Sequence, residues 1–224
     1  MANRAEILAT LAVAIDAIAS ENPVLVGIDG VDGAGKTMLA DELVPCLNDL
    51  GRHAVRASID GFHNSREKRI AKGGFSPEGY FYDSFDYKSL VDNFIRPIKE
   101  TRSGLALRAA TFDFRTDREV DDKVIEISPS SIVLFDGVFL FRAELVDFWD
   151  YKIFLEIDFE TSLDRGLARD SRYMGGEAAT RNRYLRRYIP GQKLYFDVAR
   201  PTEIADVIVR NDDPARPEIV FPGP

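Results

Sequence analysis

Gly30, Gly35, Lys36 and Thr37 stand in an arrangement suited to phosphate chemistry: two glycines with four residues between them, then a lysine and a hydroxyl. Glycines let backbone N–H groups curl around phosphate oxygens with no Cβ in the way. Those N–H groups, with the N-terminus of a following helix, offer partial positive charge to an anion. The loop therefore predicts triphosphate contacts from Gly30, Asp32, Gly33, Ala34, Gly35, Lys36, Thr37 and Met38. Lys36 would reach the β and γ phosphates, and the Thr37 hydroxyl would sit on Mg²⁺. Such a loop needs a strand before it and a helix after it. Val24 to Ile28 is an apolar, β-branched run, and Met38 to Leu50 has Leu39, Leu43, Cys46, Leu47 and Leu50 at helical spacing.

Two aspartates extend this chemistry. Asp60 follows the strand-like run His53–Ile59 and precedes Gly61-Phe62-His63, at the strand end where open α/β sheets place their sites. A carboxylate there can take the proton of an attacking hydroxyl; a solvated turn aspartate before glycine is the alternative. Asp136 ends the apolar run Ser131–Phe135, a position that holds Mg²⁺ directly or through water in phosphate-loop proteins, or else serves as a turn residue. Arg165, Arg169 and Arg172 fall three or four apart and can share one helix face. Arg181, Arg183, Arg186 and Arg187 follow after Gly175-Gly176, a hinge for a mobile lid. Residues 165–200 hold nine Lys and Arg against three Asp and Glu in a chain of net charge −8. That concentration favours an anion site over a solvated basic face. His63 is placed to touch an acceptor, and His53 reads as structural. No His, Cys and Asp cluster has zinc spacing, and no Ser–His nucleophile arrangement is present.

The remaining sequence supplies the scaffold. At 224 residues the chain suits one α/β domain with an insertion. A net charge of −8 argues against a general nucleic-acid binder. The single cysteine, Cys46, excludes an intrachain disulfide and points to a reducing, cytoplasmic compartment. No apolar run is long enough to span a membrane. Met1 to Ser20 carries Glu6 and Asp16 within an amphipathic pattern, which reads as a packed helix and not as a signal peptide. Gly51 ends the helix after the loop. Residues 64–86 read as a long irregular loop. Tyr87 to Arg102 is a predicted helix. Leu105–Phe114 and Val120–Ile127 read as two strands of an inserted hairpin, about residues 105–127. Tyr151–Glu156 reads as a strand, Phe159–Arg172 as a helix, about 165–200 as a basic helical lid, Ala205–Arg210 as the last strand, and 212–224 as a surface tail. Alternating strands and helices predict a three-layer α/β/α fold with a mostly parallel central sheet covered on both faces.

The ordered set Gly30–Thr37, Asp60–His63, Ser76–Tyr80, Asp83–Asp86, Phe112-Asp113-Phe114, Leu134–Gly137 and Arg169-Asp170 resembles the uridine kinase and phosphoribulokinase group of phosphate-loop kinases, from about residue 22 to about 213. Pro190–Tyr195 and Arg200…Asn211 are similar to bacterial uridine-kinase-like members. The resemblance implies Mg²⁺-ATP phosphorylation of a sugar hydroxyl, the 5′-OH in uridine or cytidine. It implies Asp60 as base and possible metal partner, Lys36 and Arg169 as catalytic cations, and Thr37 and Asp136 at the metal. Arg172 would be a lid residue on the nucleotide. His63, Tyr80, Phe112, Phe114, Arg115 and Gln192 would face the acceptor together with Asp60. Nucleoside members usually have Glu where Asp136 stands. They also carry Pro-x-Tyr-Asp-Phe followed by a base-reading histidine. This chain has Ala110-Thr-Phe-Asp-Phe114, with Asp117 at about the histidine's place. Another small polyol or pantothenate is therefore an alternative acceptor. A nucleotide-binding regulatory NTPase is a further alternative, although no Asn-Lys-x-Asp guanine-reading motif is present. Homo-oligomerisation and a choice of GTP over ATP stay open.

Overall fold

A computed structural model of the chain describes residues 3–120 and 124–222. Helix α1 (Arg4–Asp16) opens on a capping box in which Asn3 and Glu6 satisfy each other's backbone N–H groups. Strand β1 (Val24–Gly30) feeds the glycine loop and α2 (Lys36–Asp49). Strand β2 (Ala54–Ser58) runs into a 3₁₀ turn, Ile59–Phe62. Helices α3 (Arg66–Ile70) and α4 (Pro77–Asp83) follow, then α5 (Tyr87–Leu90), a π turn (Val91–Ile95) and α6 (Arg96–Glu100). Four short strands come next: β3 (Leu105–Arg108), β4 (Phe112–Asp113), β5 (Arg118–Glu119) and β6 (Val124–Ile127). Then come β7 (Ile132–Asp136), β8 (Tyr151–Glu156), α7 (Phe159–Asp170), α8 (Glu177–Arg183), a π turn (Tyr184–Tyr188), α9 (Ile189–Ala199), α10 (Pro201–Ile204), β9 (Val207–Arg210) and β10 (Glu218–Val220).

The central sheet has the order β10-β9-β8-β1-β7-β2, parallel except for β10. Every residue of β1 and β7 is buried, as parallel strands covered on both faces require. Val24, Val26 and Ile28 alternate with Leu25 and divide the core. One face packs α1 and α2 through Ile7, Leu11, Leu39 and Leu43. The other packs α4 to α6 and α9 through Phe81, Phe94, Phe135 and Tyr195. This is the expected three-layer architecture. A ring system fills the second layer: Phe62, Phe94, Phe135 and Trp149 lie in contact, with centroids 5.4–6.3 Å apart. β3 pairs with β6 and β4 with β5, both antiparallel, beside the sheet. Residues 121–123 of the expected second hairpin strand lie outside the described residues.

Two expectations are corrected. Residues 64–86 are not irregular: Ser65 and Ser76 cap α3 and α4 through their side chains. The buried Arg187 holds this region from the far side, donating to the carbonyls of Arg69 (2.9 Å) and Gly73 (3.2 Å). Nor is Ala205–Arg210 the last strand. It begins at Val207, and the tail adds β10 against it in antiparallel register, Ile219 opposite Val209.

A buried carboxylate fastens the sheet to the site. Asp29, 0 % exposed, accepts from Gly30 N (2.6 Å), Leu140 N (2.9 Å), Phe141 N (3.1 Å) and the Tyr195 hydroxyl. Burial pushes its pKa up to about 6, against the pull of these donors and of Lys36. The folded state thus holds this proton over a pH range in which the unfolded chain has released it. Stability from this group falls as pH rises from about 4 to about 6, by about 3 kcal/mol in all. In Asp29→Asn, urea unfolding followed across pH 4–7 should show a flatter decline than wild type, whatever its absolute stability.

Gly166 of α7 faces the ring of fully buried Tyr184, and an added Cβ would stand 2.2 Å from Tyr184 Cζ. Gly166→Ala should lower stability by about 1–3 kcal/mol in chemical denaturation, because the ring must leave its place.

Candidate active site

Parallel pairing brings the chemistry-bearing residues to one end of the sheet. Ile28 of β1 lies opposite Asp136 of β7, and Asp136 lies opposite Ser58 of β2. The glycine loop therefore leaves β1 beside Asp136, with Asp60 one turn beyond β2. Gly33 (φ 76°) and Gly35 (φ 95°) adopt left-handed backbone that side chains rarely take, so the loop closes tightly onto α2.

Lys36 Nζ lies 2.9 Å from Gly30 O and 2.7 Å from Val31 O, tucked into the loop. Burial lowers its pKa, while Asp32, Asp29, Asp136 and Asp60 oppose that shift. The Thr37 hydroxyl donates to Asp136 Oδ2 (2.8 Å), which joins the two residues expected at a metal. The other oxygen of Asp136 pairs with Arg56 (2.8 Å), whose Nε also reaches Asp41 (2.9 Å). Asp136 is 2 % exposed, and burial raises its pKa against the pull of Arg56 and Thr37. Among the described residues no group of three or more His, Cys, Asp and Glu could hold a metal ion. A Thr hydroxyl beside one carboxylate is nonetheless the sparse, all-oxygen protein share that suits Mg²⁺.

Asp60 is exposed in the 3₁₀ turn, and its charge acts on Lys36, Asp32, Asp136 and His63 alike, which places it at the same centre. His63 Nδ1 lies 3.0 Å from Asp60 O, and its ring sits between Phe85 (4.5 Å) and Phe114 (4.6 Å). Burial lowers the His63 pKa, so the neutral ring is favoured. A cleft of about 610 Å³ opens here, bounded by His63 and Phe112 and walled by Asp86, Ser89, Asn93 and Glu119. Arg115 is exposed, 5.7 Å from the Phe114 ring.

Of the residues expected at the acceptor, His63 and Phe112 line this cleft, and Asp60, Tyr80, Phe114, Arg115 and Gln192 do not. The Tyr80 hydroxyl donates to Asp32 Oδ2 (2.8 Å), and Gln192 spans Asp32 with Oε1 on its N–H (2.8 Å) and Nε2 on its carboxylate (3.2 Å). Both residues hold the glycine loop. Burial raises the Asp32 pKa against Lys36 and Tyr80. Asp117 turns away from the cleft and accepts from Arg66 N (2.7 Å) and Arg69 (3.4 Å).

The arginines of the basic segment separate. Arg169 forks onto the neighbouring Asp170 (2.7 and 2.9 Å), with Tyr184 Oη at 3.3 Å, and its charge reaches Asp32. Its pKa is raised, chiefly by the Asp170 hydrogen bonds. Arg172 points into solvent over the Tyr173 ring, and Met38 is largely exposed. Sequence reading missed Asp29, Arg56 and the wall residues Asp86, Ser89 and Asn93. Asp86 carried a partial signal, since an aspartate before a helix reads as a cap. One of its oxygens does accept from Ser89 N (2.9 Å). No helix of the described residues is long and apolar enough to cross a membrane.

Comparison with known proteins places this arrangement in a family. The model described as the phosphoribulokinase / uridine kinase family matches residues 25–210. Uridine-cytidine kinase 2-B of Danio rerio is 28% identical over 201 residues, spanning 85% of this chain and 74% of that protein. The uridine kinase of Staphylococcus haemolyticus is 25% identical over 191 residues, spanning 84% and 87%. The solved structure of a possible uridine kinase from Bacillus stearothermophilus has a TM-score of 0.71 and 25% identity, covering 90% of this chain and 96% of that one. With the phosphate loop at the end of β1 and the family match running through β9, the chain belongs to the phosphoribulokinase / uridine kinase family of nucleotide-binding phosphotransferases that act on alcohol groups of small molecules.

Proposed function

We propose that the chain transfers the γ-phosphoryl group of ATP to a sugar hydroxyl, with the 5′-OH of uridine or cytidine as the first acceptor. One observation carries the reading: a single centre, formed where β1, β7 and β2 end, holds Lys36, the Thr37–Asp136 pair and the exposed Asp60. Asp60 accepts the proton of the attacking hydroxyl, and its exposure leaves it reachable. Lys36 leaves the loop carbonyls for the phosphates. Thr37 and Asp136 would hold Mg²⁺, which would supply positive charge to the triphosphate. Arg169, already within electrostatic reach of Asp32, supplies a cation on the lid side.

A second acceptor class has a specific observation in its favour. Phe112 offers no hydroxyl to a base, and Asp117 is engaged by Arg66 and Arg69. The cleft wall is rich in carboxylate, hydroxyl and amide groups, which suits a polyol as well as a nucleoside. The relatives named for uridine and cytidine support the pyrimidine nucleosides.

ADP release from Mg-ATP, measured with uridine, cytidine, pantothenate, ribulose 5-phosphate, fructose and glycerate, should depend on acceptor. Turnover with one of the two nucleosides supports the first reading, and turnover elsewhere moves the substrate. Acceptor-independent hydrolysis alone would instead fit a regulatory NTPase. Asp60→Asn should retain nucleotide affinity and lose turnover by at least ~100-fold, the low end for removing a proton-transfer group. Unchanged turnover would remove Asp60 as the base. Lys36→Ala should weaken both triphosphate binding and turnover.

A further inference from the structure

The carbonyls of the glycine loop are held by its own Lys36 and by three side chains from outside it. Gly30 O and Val31 O receive Lys36. Asp32 O receives the Ser162 hydroxyl (2.6 Å), Gly33 O receives Arg165 (3.1 Å), and Ala34 O receives Asn211 Nδ2 (2.7 Å). Gly35 O then takes the N–H of Leu39 as the first helical bond (2.9 Å). A planar trans peptide carries its C=O and N–H on opposite sides. Donors on Asp32 O and Ala34 O therefore turn the N–H groups of Gly33 and Gly35 to the opposite side, while the Asp32 N–H is taken by Gln192 and the Ala34 N–H by Val31 O.

Ser162 is fully buried and Arg165 lies one turn further along α7, the helix that carries Arg169. Asn211 is 1 % exposed, just beyond β9 and just beyond the matched family segment. Its amide fills the space in front of Gly35, where a Cβ would lie 2.9 Å from Nδ2. Arg165 joins the two anchors, giving its second nitrogen to Asn211 O and Asp212 O (both 2.8 Å). Arg4 of α1 braces the same turn through Pro214 O (3.1 Å).

We propose that Ser162, Arg165 and Asn211 are positioning residues for the transfer reaction: they orient the peptides of Gly30–Thr37 and couple the loop to the lid helix. The proposal rests on the reading of Gly30–Thr37 as the triphosphate site.

The test is Mg-ADP binding to the full chain by calorimetry, with ligand-free unfolding measured in parallel. Asn211→Asp keeps the shape and turns the donor into an acceptor facing Ala34 O. Arg165→Met keeps the stem and removes the fork. Both should weaken Mg-ADP about tenfold or more, the equivalent of one good hydrogen bond. Arg165→Lys, with a donor retained, should recover part of the loss. A merely structural role would lower ligand-free stability and leave affinity within twofold, and that result overturns the proposal. Ser162→Ala, the smallest change, carries the same expectation if Asn211→Asp does not fold. A wild-type chain that binds no nucleotide overturns the loop reading and this proposal with it. Wild-type binding with unchanged variants overturns this proposal alone.

Discussion

The first peptide of the glycine loop, the turn after β7 and helix α9 meet on one buried carboxylate, that of Asp29. Three of its four bonds cross between elements distant in sequence, so the carboxylate converts separate packing events into one arrangement. An ion shielded from water is costly unless donors surround it, and here four donors do. The relation runs both ways: the carboxylate needs the turn and α9 in place, and they need it. Phe139, a non-glycine residue at φ 66°, lies in that turn. Such backbone persists only where surrounding bonds over-determine it.

Around this anchor the molecule gathers negative charge on one lysine. Asp29, Asp32, Asp60 and Asp136 all act on Lys36. The carboxylates differ in what else holds them. Arg56 balances Asp136, Tyr80 and Gln192 tie Asp32, and Asp60 is left to the solvent side. Burial raises the pKa of Asp29, Asp32 and Asp136, while Asp60 is the exposed member of the group. On the proposed reading an acidic protein receives a triphosphate here because Lys36 and the nearby loop N–H groups act at short range, while most of the surface charge is distant and screened.

Much of this was legible in the sequence, for reasons that particular residues show. Ile132–Phe135 and Ile153–Leu155 are apolar runs because parallel strands bury both faces, and a residue ending such a strand declares itself by position, as Asp136 does. Helices α3 and α4 were not legible. Each is shorter than two periods of a hydrophobic pattern, and Arg187, more than a hundred residues away, holds the region in place. Asp29 was hidden in an apolar strand, since spacing does not distinguish a buried aspartate from one at a turn. Tyr80 and Gln192 were expected at the acceptor. Their types suit that role, but their partner, Asp32, is set by tertiary packing. Three-residue β10 is too short for any periodicity to reveal.

The π turn at Tyr184–Tyr188 has a consequence for the lid. It sits within one unbroken helical run from α8 into α9, two residues before Pro190, whose ring would crowd a regular helical carbonyl. A π turn carries one residue more than an α turn, and one residue is about 100° of rotation. At its first residue Tyr184 faces Asp170; downstream Gln192 faces Asp32 and Tyr195 faces Asp29. The extra residue shifts the phase between Tyr184 at one end and Gln192 and Tyr195 at the other. The helix acts as a shaft with its two ends cut at different phase. The extra residue is the offset that lets the lid and the phosphate loop be gripped by the same rod.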